Sequence, residues 1–358
     1  MKPSIVFTGG GTSGHVTPNL ALIEILKENW QIGYIGSAEG IEKDITSEFK
    51  IPFYPISTGK LRRYFSWKNF TDPLRIVYGV GQSYFILRKL KANIVFSKGG
   101  FVGFPVVVAA WLNRIPVISH ESDMTPGLAN RLSFPFTNKL CLTFEATEKH
   151  IKEKAKVEVT GTPIRSELFN GSKEKGLDLC GFNNNKPCLL MMGGGQGSSY
   201  LNGILREALD NLLINYQVIH LCGKGKIDES FQSKEGYHQF EYVNQELADL
   251  MAAAELVISR SGANSLCEIL ALEKPHVLIP LSAKKSRGDQ IQNARYFKEQ
   301  GISRVIAEEE LDKENLIATI DEVYVNREEI IEKMHALNIQ SATTKIISLI
   351  EELYAKQG

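Results

Sequence analysis

The chain has 358 residues, 43% hydrophobic and 23% charged, an ordinary globular composition with room for two domains. Lys plus Arg and Asp plus Glu both number 41, so the net charge is zero and no global nucleic-acid footprint exists. The five cysteines are dispersed, with no CxxC or Cys/His ligand spacing, which argues against zinc and for reduced thiols in the cytoplasm. The N-terminus carries no signal-peptide pattern, and the longest apolar run, Phe101 to Leu112, is broken by Gly103 and Pro105 and too short to span a bilayer. Any membrane contact is expected to be peripheral.

The chain opens as strand, glycine loop, helix. Ile5, Val6 and Phe7 read as a buried strand, and Leu20, Leu22, Ile23 and Leu26 as the apolar face of the helix that follows Pro18. A second strand, WQIGYIGS, completes a βαβ unit and predicts a parallel sheet. Gly9 to Gly14 satisfies GxGxxG, but the second strand ends Ile35-Gly36-Ser37, without the acidic residue a dinucleotide ribose needs. The loop also carries Thr12, Ser13 and His15, which a pure phosphate turn does not require.

From Ser57 to Gly99 there are nine basic residues against the single acid Asp72. Tyr64, Phe65, Trp67 and Phe70 alternate with Lys60, Arg62, Arg63 and Lys68. A helix from Pro73 to Lys91 is expected to turn Ile76, Val77, Val80, Tyr84 and Leu87 to one side. The segment reads either as a core-packed helix with a solvated basic face or as a basic-aromatic surface for anionic lipid headgroups; nucleic acid is disfavoured by the acidic balance elsewhere. Two further strands, NIVFS and PVISH, each end in a polar loop: Lys98-Gly99-Gly100-Phe101, and His120 to Asp123 ahead of Asn130. Strands at LCLTFE and VEVTGTPIR follow, and Thr160 to Pro163 reads as a domain exit with Arg165 just beyond.

The pattern then restarts. KPCLLMMGGGQGSSYLNGILREALDNL is again strand, glycine loop, helix, and Gly193 to Ser198, including Gly195 and Gln196, echoes Gly9 to Gly14. The expected fold class is α/β: two Rossmann-like, doubly wound parallel-sheet domains facing across a cleft, residues 1–163 and 164–341. The last helix, 342–358, has no following strand to cover and is expected to return to the first domain.

Glu255 to Gln290 reads as a phosphate-plus-sugar site. A strand, ELVIS, leads into a helix that starts Arg-Ser-Gly-Ala-Asn-Ser, whose small residues leave backbone N–H groups and the helix dipole available to an anion. Glu268, two turns in, is placed to accept two hydrogen bonds from a diol; the plainer reading is a solvated helix carboxylate. Asp289 and Gln290 lie in the polar stretch beyond the next strand, where open α/β sheets bind ligands.

Six motifs occur in order: TGGGTSGHVTPNLAL, SKGGFVGFPV, HESDMTPGLANR, TGTPIR, GGGQGS, and SRSGANSLCEILALEKPHVLIPLS…GDQIQNA. Over nearly the whole chain they resemble the MurG-type peptidoglycan N-acetylglucosaminyltransferases, glycosyltransferase family 28 of the GT-B fold. The resemblance implies inverting transfer of GlcNAc from UDP-GlcNAc to the 4-hydroxyl of MurNAc-pentapeptide-diphospho-undecaprenol, lipid I to lipid II. It implies a peripheral enzyme on the cytoplasmic face of the cell membrane, docked on anionic lipid through the basic-aromatic segment, with other cell-wall synthesis proteins as possible partners. UDP-GlcNAc is then a co-substrate, with no cofactor; the sequence contains no DxD, so no metal is expected.

Residue by residue, Thr12, Ser13 and Gly14 match donor-contacting positions, Asp123 stands where the family often has Asn, and Asn130 lies in the same motif. Arg165 matches the arginine that reaches the donor diphosphate. Gly195 stands where Ser is usual, beside Gln196, and Val243 matches a uracil-contacting backbone position. Ala263, Asn264 and Ser265 match the pyrophosphate turn, and Glu268 the ribose carboxylate. Asp289, where Gln is usual, and Gln290 match the positions that face the GlcNAc hydroxyls in the family. His15 is the first candidate for general base and Glu121 the second; His15 also reads as a loop-orienting hydrogen bonder. The competing functions are a GT-B-fold UDP-GlcNAc 2-epimerase and a non-catalytic cell-wall scaffold.

Overall fold

The computed structural model describes residues 2–59, 68–337, 339 and 341–357, without the side chains of residues 13 and 68–71. The expectations placed on Lys60, Arg62, Arg63, Tyr64, Phe65 and Trp67, and on the side chains of Ser13, Lys68 and Phe70, lie outside the described residues.

The chain forms two compact units, Met1–Ile164 with Ser341–Gly358, and Arg165–Gln340. Unit 1 is built on strands β1 (Ser4–Thr8), β2 (Gln31–Ser37), β3 (Phe53–Ile56), β4 (Ile94–Ser97), β5 (Val117–Glu121), β6 (Lys139–Leu142) and β7 (Val157–Val159). They lie in the order β3-β2-β1-β4-β5-β6-β7, and every pairing is parallel. Unit 2 carries β8 (Cys188–Met192), β9 (Gln217–Leu221), β10 (Tyr237–Phe240), β11 (Leu256–Ser259), β12 (His276–Leu278) and β13 (Arg304–Val305). Their order is β10-β9-β8-β11-β12-β13, also parallel. In each sheet the order of strand addition reverses once, beside the first strand: between β1 and β4, and between β8 and β11.

The strands are apolar on both faces because both faces are covered. In unit 1, Ile5, Phe7, Ile94, Phe96 and Ile118 join one core, and the alternate residues Val6, Val95 and Val117 join the other. The first core is closed by helix Thr17–Leu26 and by helix Thr343–Ala355, which inserts Ile346, Leu349 and Ile350. Ala342 N donates to Thr162 O at 3.1 Å, anchoring the returning chain. The second core takes Leu87 of helix Lys68–Lys89 and Val106, Val107, Ala109 and Ala110 of helix Gly100–Leu112. In unit 2, helix Ser199–Asn215 buries Leu201, Leu205, Leu209 and Leu212 along one stripe.

Elements not anticipated include β3, β13 and the helices Ile41–Glu48, Lys173–Cys180, Asp289–Glu299, Lys313–Val325 and Arg327–Leu337. β3 contains Pro55, which is tolerated because β3 lies at the sheet edge. β13 has two residues, too short to show a period. Val77 was expected on the same side of its helix as Leu87, but Val77 is 69% exposed and Leu87 fully buried.

Candidate active site

In unit 2 the two loops at the reversal point are Gly193–Ser198 after β8 and Arg260–Ser265 after β11. Ligands of open α/β sheets bind at this position. The first loop is held by its carbonyls. Lys226 Nζ donates to Gln196 O at 2.7 Å and Gly197 O at 3.1 Å, and Gly197 N donates to Gly194 O at 2.9 Å. Gly197 has φ 65°, and a Cβ there would strike Cys222 O, so only glycine fits. Gly194, Gly195 and Gln196 are exposed. Ser198 caps the following helix, accepting from Leu201 N at 3.4 Å.

The second loop is organised by Arg260, which sequence reading passed over. Its guanidinium donates to Ile279 O at 3.0 Å, Pro280 O at 3.2 Å, Ser198 Oγ at 3.2 Å and Glu308 Oε1 at 2.7 Å. Glu308 also accepts from Ser282 N at 2.9 Å and Lys285 Nζ at 3.4 Å. Burial works to raise the Glu308 pKa, but these donors and the Arg260 charge outweigh it and hold it below the usual carboxylate value. One buried ion pair thus ties together the glycine loop, the strand end at Arg260 and the loop after β12. The only sequence signal was a lone charge between the apolar ELVIS strand and a run of small residues; Glu308 is hidden in an acidic triplet.

Helix Ala263–Ala271 begins after Gly262, an N-cap residue with no side-chain oxygen to offer the first turn. Asn264 and Ser265 are half-buried in that turn. Glu268 is half-buried one turn on, its pKa raised by burial and drawn back by the Arg165 charge. Arg165 Nη1 donates to Asn244 Oδ1 at 3.4 Å, and its buried Nε has no partner among the described residues. Val243, next to Asn244, packs at the margin of the Leu177 core. Arg165, Val243 and Glu268 are thereby grouped. Gln290 Oε1 accepts from Leu281 N at 2.9 Å and Gln290 O accepts from Ser261 Oγ at 2.8 Å. Its side-chain oxygen is a loop brace, and the NH2 is what it can offer a hydroxyl. Asp289 begins helix Asp289–Glu299 and faces Arg287 at 3.5 Å.

In unit 1 the reversal point is flanked by Gly9–His15 and Lys98–Phe101. Tyr34 Oη donates to Gly9 O at 2.6 Å, and Asn19 Nδ2 donates to Tyr34 Oη at 3.1 Å and His15 O at 3.4 Å. Gly11 N donates to Glu42 Oε2 at 3.1 Å. His15 N donates to Thr12 O at 3.1 Å, closing the turn Ser13–His15. Thr12 is exposed and Gly14 and His15 half-buried. The His15 ring lies against Gly100, where an added Cβ would come within 3.0 Å of Cδ2 and 3.4 Å of Nε2.

Behind this loop sits a buried polar row. His120 Nε2 is 2.8 Å from Gly161 O, so Nε2 carries the proton and Nδ1 accepts from Lys98 Nζ at 2.7 Å. Lys98 Nζ also donates to Ser122 Oγ. Burial and then the Lys98 charge push the His120 pKa well below its ordinary value, so it is neutral. Glu121 is 3% exposed. Its carboxylate accepts from Asp123 N at 3.0 Å, Gly127 N at 3.2 Å and Asn130 Nδ2 at 2.8 Å. Burial and the Asp123 charge raise its pKa to about 7 against those donors. Asn130 in turn lies where a side chain at Gly99 would be, locking the two loops together. Among the described residues, no group of three or more His, Cys, Asp or Glu side chains is arranged to hold a metal ion.

Comparison with known proteins places this arrangement. Residues 5–141 match the glycosyltransferase family 28 N-terminal domain, and residues 188–350 match the family 28 C-terminal domain. A relative from Legionella pneumophila (strain Paris), named UDP-N-acetylglucosamine--N-acetylmuramyl-(pentapeptide) pyrophosphoryl-undecaprenol N-acetylglucosamine transferase, is 61% identical over 98% of this chain and 97% of its own. A Clostridium tetani relative of the same name is 53% identical over the full length of both chains. Among solved structures, Acinetobacter baumannii MurG superposes with a TM-score of 0.74 at 22% identity, covering 98% of this chain and 99% of that one. The UDP-GlcNAc 2-epimerase of Neisseria meningitidis superposes at 0.67 and 15% identity, covering 98% and 100%, a likeness of fold alone. With both domain models matched in order and full-length relatives above half identity, the chain belongs to glycosyltransferase family 28.

Proposed function

We infer that this chain performs the reaction for which its full-length relatives are named: transfer of GlcNAc from UDP-GlcNAc to undecaprenyl-diphosphate-linked MurNAc-pentapeptide. The observation that carries the reading is the 61% identity over 98% of the chain. The geometry of unit 2 supports it. A half-buried carboxylate, Glu268, beside Arg165 and an uncapped helix start suits a ribose diol next to a diphosphate. As the glycosidic bond breaks, negative charge grows on the leaving UDP, and Arg165 with the helix N–H groups stabilises it without a metal. Direct displacement inverts the anomeric centre, giving a β-linked disaccharide from the α-linked donor.

We assign the base to His15. Glu121 has a pKa of about 7, suited to the role, but its two oxygens are engaged by three donors of its own loop and it is 3% exposed. Access to the proton comes before pKa, so Glu121 is read as the clamp of the 121–130 loop. Asp289 and the Gln290 amide are assigned to the sugar hydroxyls. NMR of the disaccharide product tests the chemistry: a β-1,4 linkage is expected, and an α-linkage would rule out direct displacement.

The membrane-facing surface is assigned to unit 1. Leu74, Val77, Tyr78 and Phe85 are each at least 66% exposed along helix Lys68–Lys89, with Trp111 and Leu112 exposed on the contacting helix Gly100–Leu112. Exposed Arg75, Arg88 and Lys89 flank them. Apolar residues rimmed by cations suit the interface of an anionic leaflet. No helix among the described residues is long and apolar enough to cross a membrane. Phe85→Glu with Arg88→Glu is expected to abolish co-sedimentation with phosphatidylglycerol vesicles; unchanged binding would remove this surface.

A further inference from the structure

Glu42 takes no part in the reaction derived above, yet it is completely buried. It sits in the first turn of helix Ile41–Glu48, where the helix dipole favours a carboxylate. Its Oε1 accepts from Ser37 N and Ser37 Oγ, both at 2.8 Å, and its Oε2 accepts from Gly11 N at 3.1 Å.

Three glycines surround the carboxyl group. A Cβ on Gly10 would lie 2.5 Å from Glu42 Cδ, one on Gly36 2.7 Å from Glu42 Cγ, and one on Gly40 would strike the carboxylate itself. None of the three has a left-handed backbone. Their φ values admit any residue, so the space each leaves is a reason for glycine there, although at Gly36 the Phe53 ring is equally close. In a dinucleotide fold a glycine-loop N–H faces a phosphate oxygen. Here the Gly11 N–H faces the chain's own carboxylate.

We propose that Glu42 is a positioning residue, a built-in anion that fills the first glycine loop and fixes the Gly11–His15 turn in place of a ligand phosphate. The effect on catalysis rests on the assignment of His15 above; the effect on the loop does not. Glu42→Gln keeps the shape but must turn an NH2 toward either Gly11 N–H or the Ser37 donors. Gly40→Ala leaves the charge and pushes the carboxylate away.

Hydrogen–deuterium exchange on the full chain reads the loop directly. Both variants should speed exchange of the 9–15 amides and leave 193–198 unchanged. Wild-type protection of 9–15 in both would overturn the proposal, as would equal loosening of both loops. In transfer assays Glu42→Gln should lower kcat about 10–100-fold, with a smaller rise in KM for UDP-GlcNAc because Thr12 and Gly14 share the turn. Added to His15→Ala it should cost nothing further, because it acts through the same turn. A multiplicative loss in the double variant would overturn the coupling to His15. Absence of transfer by the wild-type chain would instead count against the proposed function and leave the exchange result standing.

Discussion

The two glycine loops of this chain look alike in sequence and are held in opposite ways. In unit 1 an anion, Glu42, takes an N–H of the loop. In unit 2 cations take the other side: Lys226 holds the carbonyls of Gln196 and Gly197, and Arg260 holds the Ser198 hydroxyl. A loop whose N–H is occupied by its own carboxylate is a poor phosphate cradle. A loop tethered by its carbonyls, next to an uncapped helix start and an arginine with a spare donor, is a good one. The same Gly-rich string thus gives a positioned turn carrying His15 in one unit and the proposed anion site in the other, and the difference lies in residues far away in sequence.

The largest expected effect comes from removing the cationic side of the comparison. Arg260→Met leaves Glu308 with Ser282 N and the more exposed Lys285 only, and breaking a buried pair costs up to about 3–5 kcal/mol. Native-state hydrogen exchange should show the core strands of unit 2 destabilised by that amount, with UDP affinity lost alongside; unaltered protection would mean the pair is not what joins the three loops. On the other side, His15→Ala should lower kcat about 10²–10⁴-fold while UDP binding, assigned to unit 2, stays unchanged. A fall in UDP affinity of similar size would undo the division of labour between the loops.

A smaller effect concerns pH. Glu121 is held at about 7 in the fold, above an ordinary carboxyl at 4.5. Its contribution to stability is therefore whole below the lower value and is lost as pH rises through the higher one. Melting temperatures of the wild type minus those of Glu121→Gln should fall between pH 5 and pH 8; a difference that rises or stays flat would contradict the burial of the acid. The smallest effect sharpens the comparison rather than breaking it. Gly195 is exposed and has no left-handed backbone, so Gly195→Ser should fit without strain. One added neutral hydrogen bond is worth about 1 kcal/mol, and KM for UDP-GlcNAc should drop by about fivefold or less.

Much of the fold was legible because the strands are short apolar runs punctuated by glycine loops. Ile5 to Phe7, Ile94 to Ser97 and Leu256 to Ser259 announce a parallel sheet buried on both faces. Arg165, Glu268 and the 263–265 turn could be nominated because each lies within or beside a recognisable loop, and the fold brings Arg165 near Glu268. What stayed hidden was long-range and polar. Glu42 stands five residues beyond the strand end where an acid was sought, and only the packing of Gly10, Gly36 and Gly40 reveals its direction. Arg260 and Glu308 are 48 residues apart, with no local pattern to pair them. The solvent side of helix Lys68–Lys89 was misread at Val77 because its apolar residues are spread around more than one face, and a helix apolar on two sides has no single moment to follow.

The central claim is that unit 2 binds the donor and that reaction waits for the acceptor. UDP release from UDP-GlcNAc, measured with and without a soluble analogue of the lipid-linked MurNAc-pentapeptide, tests it most directly. The account predicts release only when the acceptor is present, matched one for one by disaccharide. Release at the same rate without acceptor would contradict it and favour the epimerase chemistry of the same fold.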